Sequence, residues 1–267
     1  MVTFNSLFTT RRWLLIAAAS TVLAACGSTS PSATLLVSVA ASLQDVMQEL
    51  EPNAREYLQQ LGYGPVSLTF NFGGSGTLQR QIVQGAPTDV FVSAAERQMD
   101  ALQAANLVLE TSRRTVARNR LALVIPTAAT DVELGTFQDL ITDRVRTVAI
   151  AQPDIVPAGQ YARETLEHLG LWEPLTDKLV FGRDVRQVLS YVDTGNVDAG
   201  VVFITDATLS DRARVVEIAN PSWHAPIRYP AAAIAASQHS ELAQAFVEFL
   251  TTQTALAVFK SYGFRAP

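Results

Sequence analysis

Short apolar runs of strand length alternate with stretches of helical spacing along most of this chain. That alternation restricts the fold more than any other feature. Thr34–Ala40, Val66–Phe72 and Asp89–Ser93 read as strands. Leu43–Leu61, Leu78–Gln84 and Gln98–Asn106 read as helices, with Pro52 expected to kink or split the first. Val116–Ile125 is a longer strand-like run stopped by Pro126, after which the pattern restarts. Thr147–Ala151, Lys178–Phe181, Ala199–Ile204 and Arg214–Ile218 are then strand-like, with Gln160–Leu169 and Val185–Thr194 helical. Ile227–Ala236 is again extended, and Leu242–Leu250 and Ala255–Lys260 are helical. Such a pattern argues for an α/β fold of βαβ units, each sheet mainly parallel and flanked by helices. Two sets joined by runs near 120 and 230 predict two lobes connected by two crossing strands. Lobe 1 is expected to comprise 34–117 plus 231–267, and lobe 2 118–230, the C-terminal helices returning to lobe 1.

Two junctions inside this frame carry chemistry. Val37-Ser38-Val39-Ala40-Ala41-Ser42-Leu43 is an apolar run that delivers Ser42 to the start of a helix. Phe70-Asn71-Phe72-Gly73-Gly74-Ser75-Gly76-Thr77-Leu78 does the same with Ser75. The first N–H groups of a helix have no internal acceptor and the helix dipole favours negative charge there, so each junction is suited to an anion. The second half supplies two further helix starts, Asp154-Ile155-Val156-Pro157-Ala158-Gly159 and Phe181-Gly182-Arg183-Asp184-Val185-Arg186, with Asp184 a natural N-cap. Ligands of open α/β sheets sit beyond the carboxyl ends of the strands, which places the site in the cleft between lobes.

The N-terminus reads as an export signal. Arg11 and Arg12 precede an apolar run from Trp13 to Ala25, too short to span a bilayer comfortably. Leu23-Ala24-Ala25-Cys26-Gly27 resembles a bacterial lipobox, which implies a signal peptide over 1–25 and lipidation of Cys26. Residues 26–33 then form a tether, and the mature protein is expected to be held by its lipid at a bacterial membrane, facing the periplasm or the exterior. Cys26 is the single cysteine, so no disulfide forms within the chain and the core alone must carry stability. The formal charge of −5 becomes more negative once Arg11 and Arg12 are removed, which excludes a broad basic surface for nucleic acid. Attraction of an anion must therefore come from local dipoles.

Taken in order, a series of segments resembles the periplasmic molybdate-binding proteins that feed ABC transporters. They are Ala40-Ala41-Ser42-Leu43, Ser75-Gly76-Thr77-Leu78 with Gln81-Ile82, and Gly85-Ala86-Pro87-Thr88-Asp89-Val90-Phe91-Val92-Ser93-Ala94. Asn119, Val156-Pro157-Ala158-Gly159-Gln160-Tyr161-Ala162, Asp184-Val185-Arg186, Ala199-Gly200-Val201-Val202 and Tyr262-Gly263-Phe264 continue the match. The resemblance implies the two-lobed, hinge-closing periplasmic-binding-protein-like fold of type II solute-binding proteins. It also implies molybdate or tungstate as ligand, a permease subunit as partner, and neither enzymatic activity nor a cofactor or further metal. Ligand contacts carried over by position are hydroxyl and N–H from Ser42 and Ser75, and N–H from Ala158 and Val185. A fifth position, usually tyrosine, is Phe203 here, which has no hydroxyl to donate; the loss is worth on the order of 1 kcal/mol.

The chemistry of the residues agrees with that ligand. Molybdate and tungstate are tetrahedral dianions without a proton, so a good pocket offers donors only. Hydroxyls and backbone N–H groups do so without the desolvation cost of a buried lysine or arginine. A protonated phosphate needs an acceptor as well, and Asp184 is better placed to cap its own helix. Sulfate satisfies the same donor rule and is the alternative ligand. A serine hydrolase is the alternative class, because Gly73-Gly74-Ser75-Gly76-Thr77 approaches the Gly-x-Ser-x-Gly elbow, with Thr77 in place of its last glycine. Its base would have to be His168, His224 or His239, none of which has metal-ligand spacing either. Arg183 and Arg186 read either as attractors of anions or as solvated surface charges. Asp89 is expected to hydrogen-bond within the loop after Pro87.

Overall fold

The computed structural model describes residues 33–128 and 134–267. The expected signal segment, Cys26 and the tether up to residue 32 lie outside the described residues. In chain order, β1 (Ala33–Ala40) passes through a 3-10 turn (Ala41–Leu43) into α1 (Gln44–Gln60). There follow β2 (Val66–Gly73), α2 (Ser75–Val83), β3 (Val90–Val92), α3 (Glu96–Ala104), β4 (Arg114–Arg118) and β5 (Leu121–Pro126). Next come β6 (Val148–Ala151), α4 (Pro157–His168), α5 (Trp172–Leu175), β7 (Leu179–Gly182), α6 (Val185–Asp193), β8 (Ala199–Phe203), α7 (Ile204–Ala207) and β9 (Ala213–Ile218). The chain ends with β10 (Arg228–Ala233), α8 (Ser240–Phe249) and α9 (Gln253–Ser261).

Two five-stranded sheets result, β2-β1-β3-β10-β4 and β7-β6-β8-β5-β9. They share one plan. Three strands are parallel, β2-β1-β3 in one and β7-β6-β8 in the other, and two antiparallel strands extend each sheet. The parallel strands are joined by helical crossovers, as the alternation in sequence requires. Each is a lobe of a periplasmic-binding-protein-like fold.

The run Val116–Ile125, read as one strand, is two strands in different sheets, with Asn119 and Arg120 between them. The return crossing occupies 219–227 and lies beside the first: Arg118 pairs with Arg228, and Asn119 N donates to Ile227 O at 3.2 Å. The first sheet thus takes in Arg118 and 228–230 as well as the stretches assigned to it from sequence.

Pro52 does not split α1, which runs unbroken through it. Val46, Met47, Leu50, Ala54 and Leu58 are buried on both sides of the proline, while Pro52 and Gln48 are exposed. The Gln48 carbonyl, whose helical donor Pro52 lacks, therefore faces water, and packing holds the helix together. The C-terminal helices do return to the first lobe: α8 packs on α1 and β10, with the Tyr57 and Phe249 rings 5.5 Å apart, and α9 packs on α1 and β4. Asp89 ties separate segments rather than its own loop, accepting from Leu36 N at 2.7 Å and Ser237 Oγ at 2.6 Å.

Candidate functional site

Six parallel strands end at one place. The carboxyl ends of β1, β2 and β3 from the first lobe, and of β6, β7 and β8 from the second, open onto a cavity of about 10 Å³. The first lobe lines it with Ala40, Ala41, Ser42, Gly73, Gly74, Ser75 and Ala94. The second contributes Val156, Pro157, Ala158, Asp184, Val185 and Phe203. All five positions inferred from sequence (Ser42, Ser75, Ala158, Val185 and Phe203) therefore face one space, although 161 positions separate the first from the last.

Local structure sets the direction of each polar group. Ser75 is the first residue of α2, after the extended Gly74, and Val185 is the first residue of α6, after its cap Asp184. Ala158 is the second residue of α4, behind Pro157, a residue suited to the first turn because its missing N–H is not needed there. Ser42 is the middle residue of the 3-10 turn before α1. None of these four N–H groups meets a protein acceptor among the described residues. Each is a free donor at the positive end of a helix or turn.

Both serine hydroxyls are buried, and a protein donor already occupies one lone pair of Ser75: Ala94 N donates to its Oγ at 3.0 Å. Ser42 Oγ lies 3.0 Å from the Tyr229 hydroxyl. Among the described residues, no lysine, arginine or histidine lines the cavity. Asp184 is the one charged residue there, and its Oδ1 accepts from Gln187 N at 2.9 Å, the helix-capping role expected of it. Phe203 is 1% exposed and packs between Tyr161 and Tyr229, at 6.3 and 6.0 Å between ring centres.

The lobes meet across a seam beside the cavity. Gly76 N donates to Ile155 O at 3.0 Å. A Cβ on Gly76 would stand 2.0 Å from that oxygen, so only glycine permits the approach. Gly159 is similarly required inside the second lobe, where a Cβ would lie 1.9 Å from Ala151 O and lift α4 off the end of β6.

Arg186 is neither an attractor in the cavity nor a solvated charge. Its guanidinium bridges Asp45 of the first lobe at 2.5 Å and Asp206 of the second at 2.6 Å. Asp206 is fully buried, and burial pushes its carboxyl up to about 7 against the opposing pull of Arg186. Arg183 projects into solvent. The histidines lie elsewhere: His168 stacks near Trp223, His224 Nδ1 meets Ala225 O at 2.7 Å, and His239 precedes α8. No cluster of metal-binding side chains occurs among the described residues. Among the described residues the hydrogen bond at Ser75 Oγ comes from the backbone amide of Ala94 rather than from a base.

Sequence reasoning missed Tyr229, Asp206 and the seam contacts. A lone tyrosine inside the apolar run Ile227–Ala236 was the available signal for the first, since a buried phenol must find a partner.

Comparison with known proteins agrees with this geometry. The family model for bacterial extracellular solute-binding proteins matches residues 35–265. YvgL of Bacillus subtilis, provisionally named an ABC transporter substrate-binding lipoprotein, is 40% identical over 87% of this chain and 86% of its own. The molybdate-binding protein ModA of Escherichia coli is 33% identical, covering 95% of this chain and 98% of its own. Among solved structures, the periplasmic molybdate-binding protein of Azotobacter vinelandii superposes with a TM-score of 0.73 at 27% identity, over 87% of this chain and 99% of that one.

Proposed function

We propose that this chain, which belongs to the bacterial extracellular solute-binding protein family, captures molybdate, and tungstate by the same chemistry, outside the cytoplasmic membrane. It delivers the ion to the permease subunit of an ABC transporter and is anchored through Cys26. The observation that carries this reading is the convergence of four free-donor junctions, two from each lobe, on one cavity without a cationic side chain. The ligand names printed for the relatives from Escherichia coli and Azotobacter vinelandii support it.

In this reading Ser42 and Ser75 donate through hydroxyl and N–H, and Ala158 and Val185 through N–H. Every oxygen of a tetrahedral dianion accepts, so the pocket satisfies it without a counter-ion. An ion held by the first lobe alone has four of its six donors. Closure adds the two N–H groups of the second, and binding shifts the lobes toward the shut arrangement.

Calorimetric titration and thermal unfolding test the proposal together. Molybdate and tungstate are expected to bind 1:1 and to raise the melting temperature, since a ligand at 100 times its Kd stabilises the folded state by about 2.7 kcal/mol. Sulfate and phosphate are expected to do so weakly. No heat and no thermal shift with any tetrahedral oxyanion would reject the function.

A further inference from the structure

We infer that Asn119 and Tyr229 are positioning residues that fix Ser42 as a donor, so that the site rejects oxyanions carrying a proton. The inference rests on the oxyanion reading above and names what sets its selectivity. Asn119 Oδ1 accepts from the backbone N–H of Arg120 at 2.8 Å, which fixes the amide orientation. Its Nδ2 then donates in two directions, to Thr205 Oγ1 at 2.9 Å and to the Tyr229 hydroxyl at 3.0 Å. Tyr229 is fully buried, and burial together with the charge of Asp206 pushes its pKa up, so the phenol keeps its proton.

That proton has one destination. Of the two groups that reach the Tyr229 hydroxyl among the described residues, Asn119 Nδ2 only donates, so the acceptor is Ser42 Oγ at 3.0 Å. The Ser42 proton is thereby turned away from Tyr229 and toward the cavity. Ser75 is set the same way by Ala94 N. Both hydroxyls thus offer hydrogen to a ligand. A ligand O–H could reach the second lone pair of Ser42 only by turning the Ser42 proton away from the ligand, which leaves that buried donor without a partner. Asn119 lies at the crossing between lobes, with Thr205 on the second and Tyr229 on the first, so this setting belongs to the assembled two-lobe site.

Tyr229→Phe and Asn119→Asp test it. The first deletes the proton aimed at Ser42. The second replaces the donor with an acceptor, which takes the phenol proton and turns Ser42 to present a lone pair to the cavity. Displacement of bound molybdate by sulfate and by phosphate is measured at about pH 8, where phosphate is mainly a dianion with one proton and matches sulfate in charge. The preference for sulfate over hydrogenphosphate is expected to fall about 10-fold in Tyr229→Phe and further in Asn119→Asp, while the ratio of molybdate to sulfate stays fixed. In a Ser42→Ala background, Tyr229→Phe is expected to change neither ratio. A purely structural role lowers all affinities together. An unchanged sulfate-to-hydrogenphosphate preference in variants that still bind molybdate, or a shift that persists without Ser42, overturns the inference alone. A wild-type protein that binds no oxyanion overturns the functional reading and this inference with it.

Discussion

The two lobes share a strand plan but equip the cavity differently. The first brings Ser42 and Ser75, whose side chains carry hydroxyls; the second brings Ala158 and Val185, whose side chains carry nothing polar, and in the proposed function it acts through its backbone. A binding surface can therefore be built from residue types that announce it or from residue types that hide it, provided the strand ends and helix starts coincide. In the second lobe position does what composition does in the first.

The seam offers the strongest way to break this partnership. Gly76→Ala is expected to leave each lobe folded but to block closure, because its methyl would meet Ile155 O at 2.0 Å. Losing two charge-assisted donors from the second lobe, at about 1.5–3 kcal/mol each, weakens molybdate binding by at least about 100-fold. Small-angle scattering should show a more open molecule, and unaltered affinity by titration would mean that closure is not needed.

The lobes should then answer differently to side-chain deletion. Ser75→Ala is expected to weaken binding by about 10- to 100-fold, whereas Val185→Ala, which keeps the N–H, changes affinity little. Val185→Pro is the counterpart in the second lobe: proline suits the first position of a helix, and Asp184 before it is already extended, so mainly the donor is lost. A loss similar to that of Ser75→Ala is expected by calorimetry. If Val185→Ala weakened binding as much as Val185→Pro, the backbone role would be wrong.

A pH scan separates the lobes in another way, since the fully buried carboxylate Asp206 belongs to the second. Below pH 3.8 it is protonated whether folded or unfolded; between there and about 7 the unfolded chain releases the proton and the folded chain keeps it. Stability contributed by this group therefore falls as pH rises through that window and levels off above it. Arg186, Asp45 and Asp184 set the local field. Denaturant unfolding of Asp206→Asn should show a flatter profile over the same range. The smallest effect is expected at the cavity wall, where Phe203→Tyr adds the hydroxyl expected there from the family resemblance and should tighten molybdate binding roughly fivefold, about 1 kcal/mol.

Most of the architecture was legible because strands and helices bury apolar residues at different periods. The crossing at Asn119 was not, since Val116–Ile125 is apolar on both sides of the point where the chain changes sheets. Pro52 misled for a local reason: its cost falls on a solvent-facing carbonyl, which water can satisfy. At the site, Ser42 and Ser75 could be read from their own chemistry, but Ala158 and Val185 only through resemblance. Tyr229 and Asp206 escaped notice because their partners lie far away in sequence, with Tyr229 187 positions from Ser42. Arg186 was ambiguous for the same reason. Its two carboxylates come from different lobes, and one sequence does not bring them together.

The paired passages of the backbone at 119–120 and 219–227 have a mechanical consequence. A single strap would let one half swivel freely against the other, but two straps side by side, tied by Asn119 N and Ile227 O, act as the pins of a door. Under the closure proposed above, the halves would swing along one arc and bring the same loops face to face. Less orientational disorder would then have to be removed when an oxyanion is bound, so more of the attraction between donors and oxygens would survive as affinity.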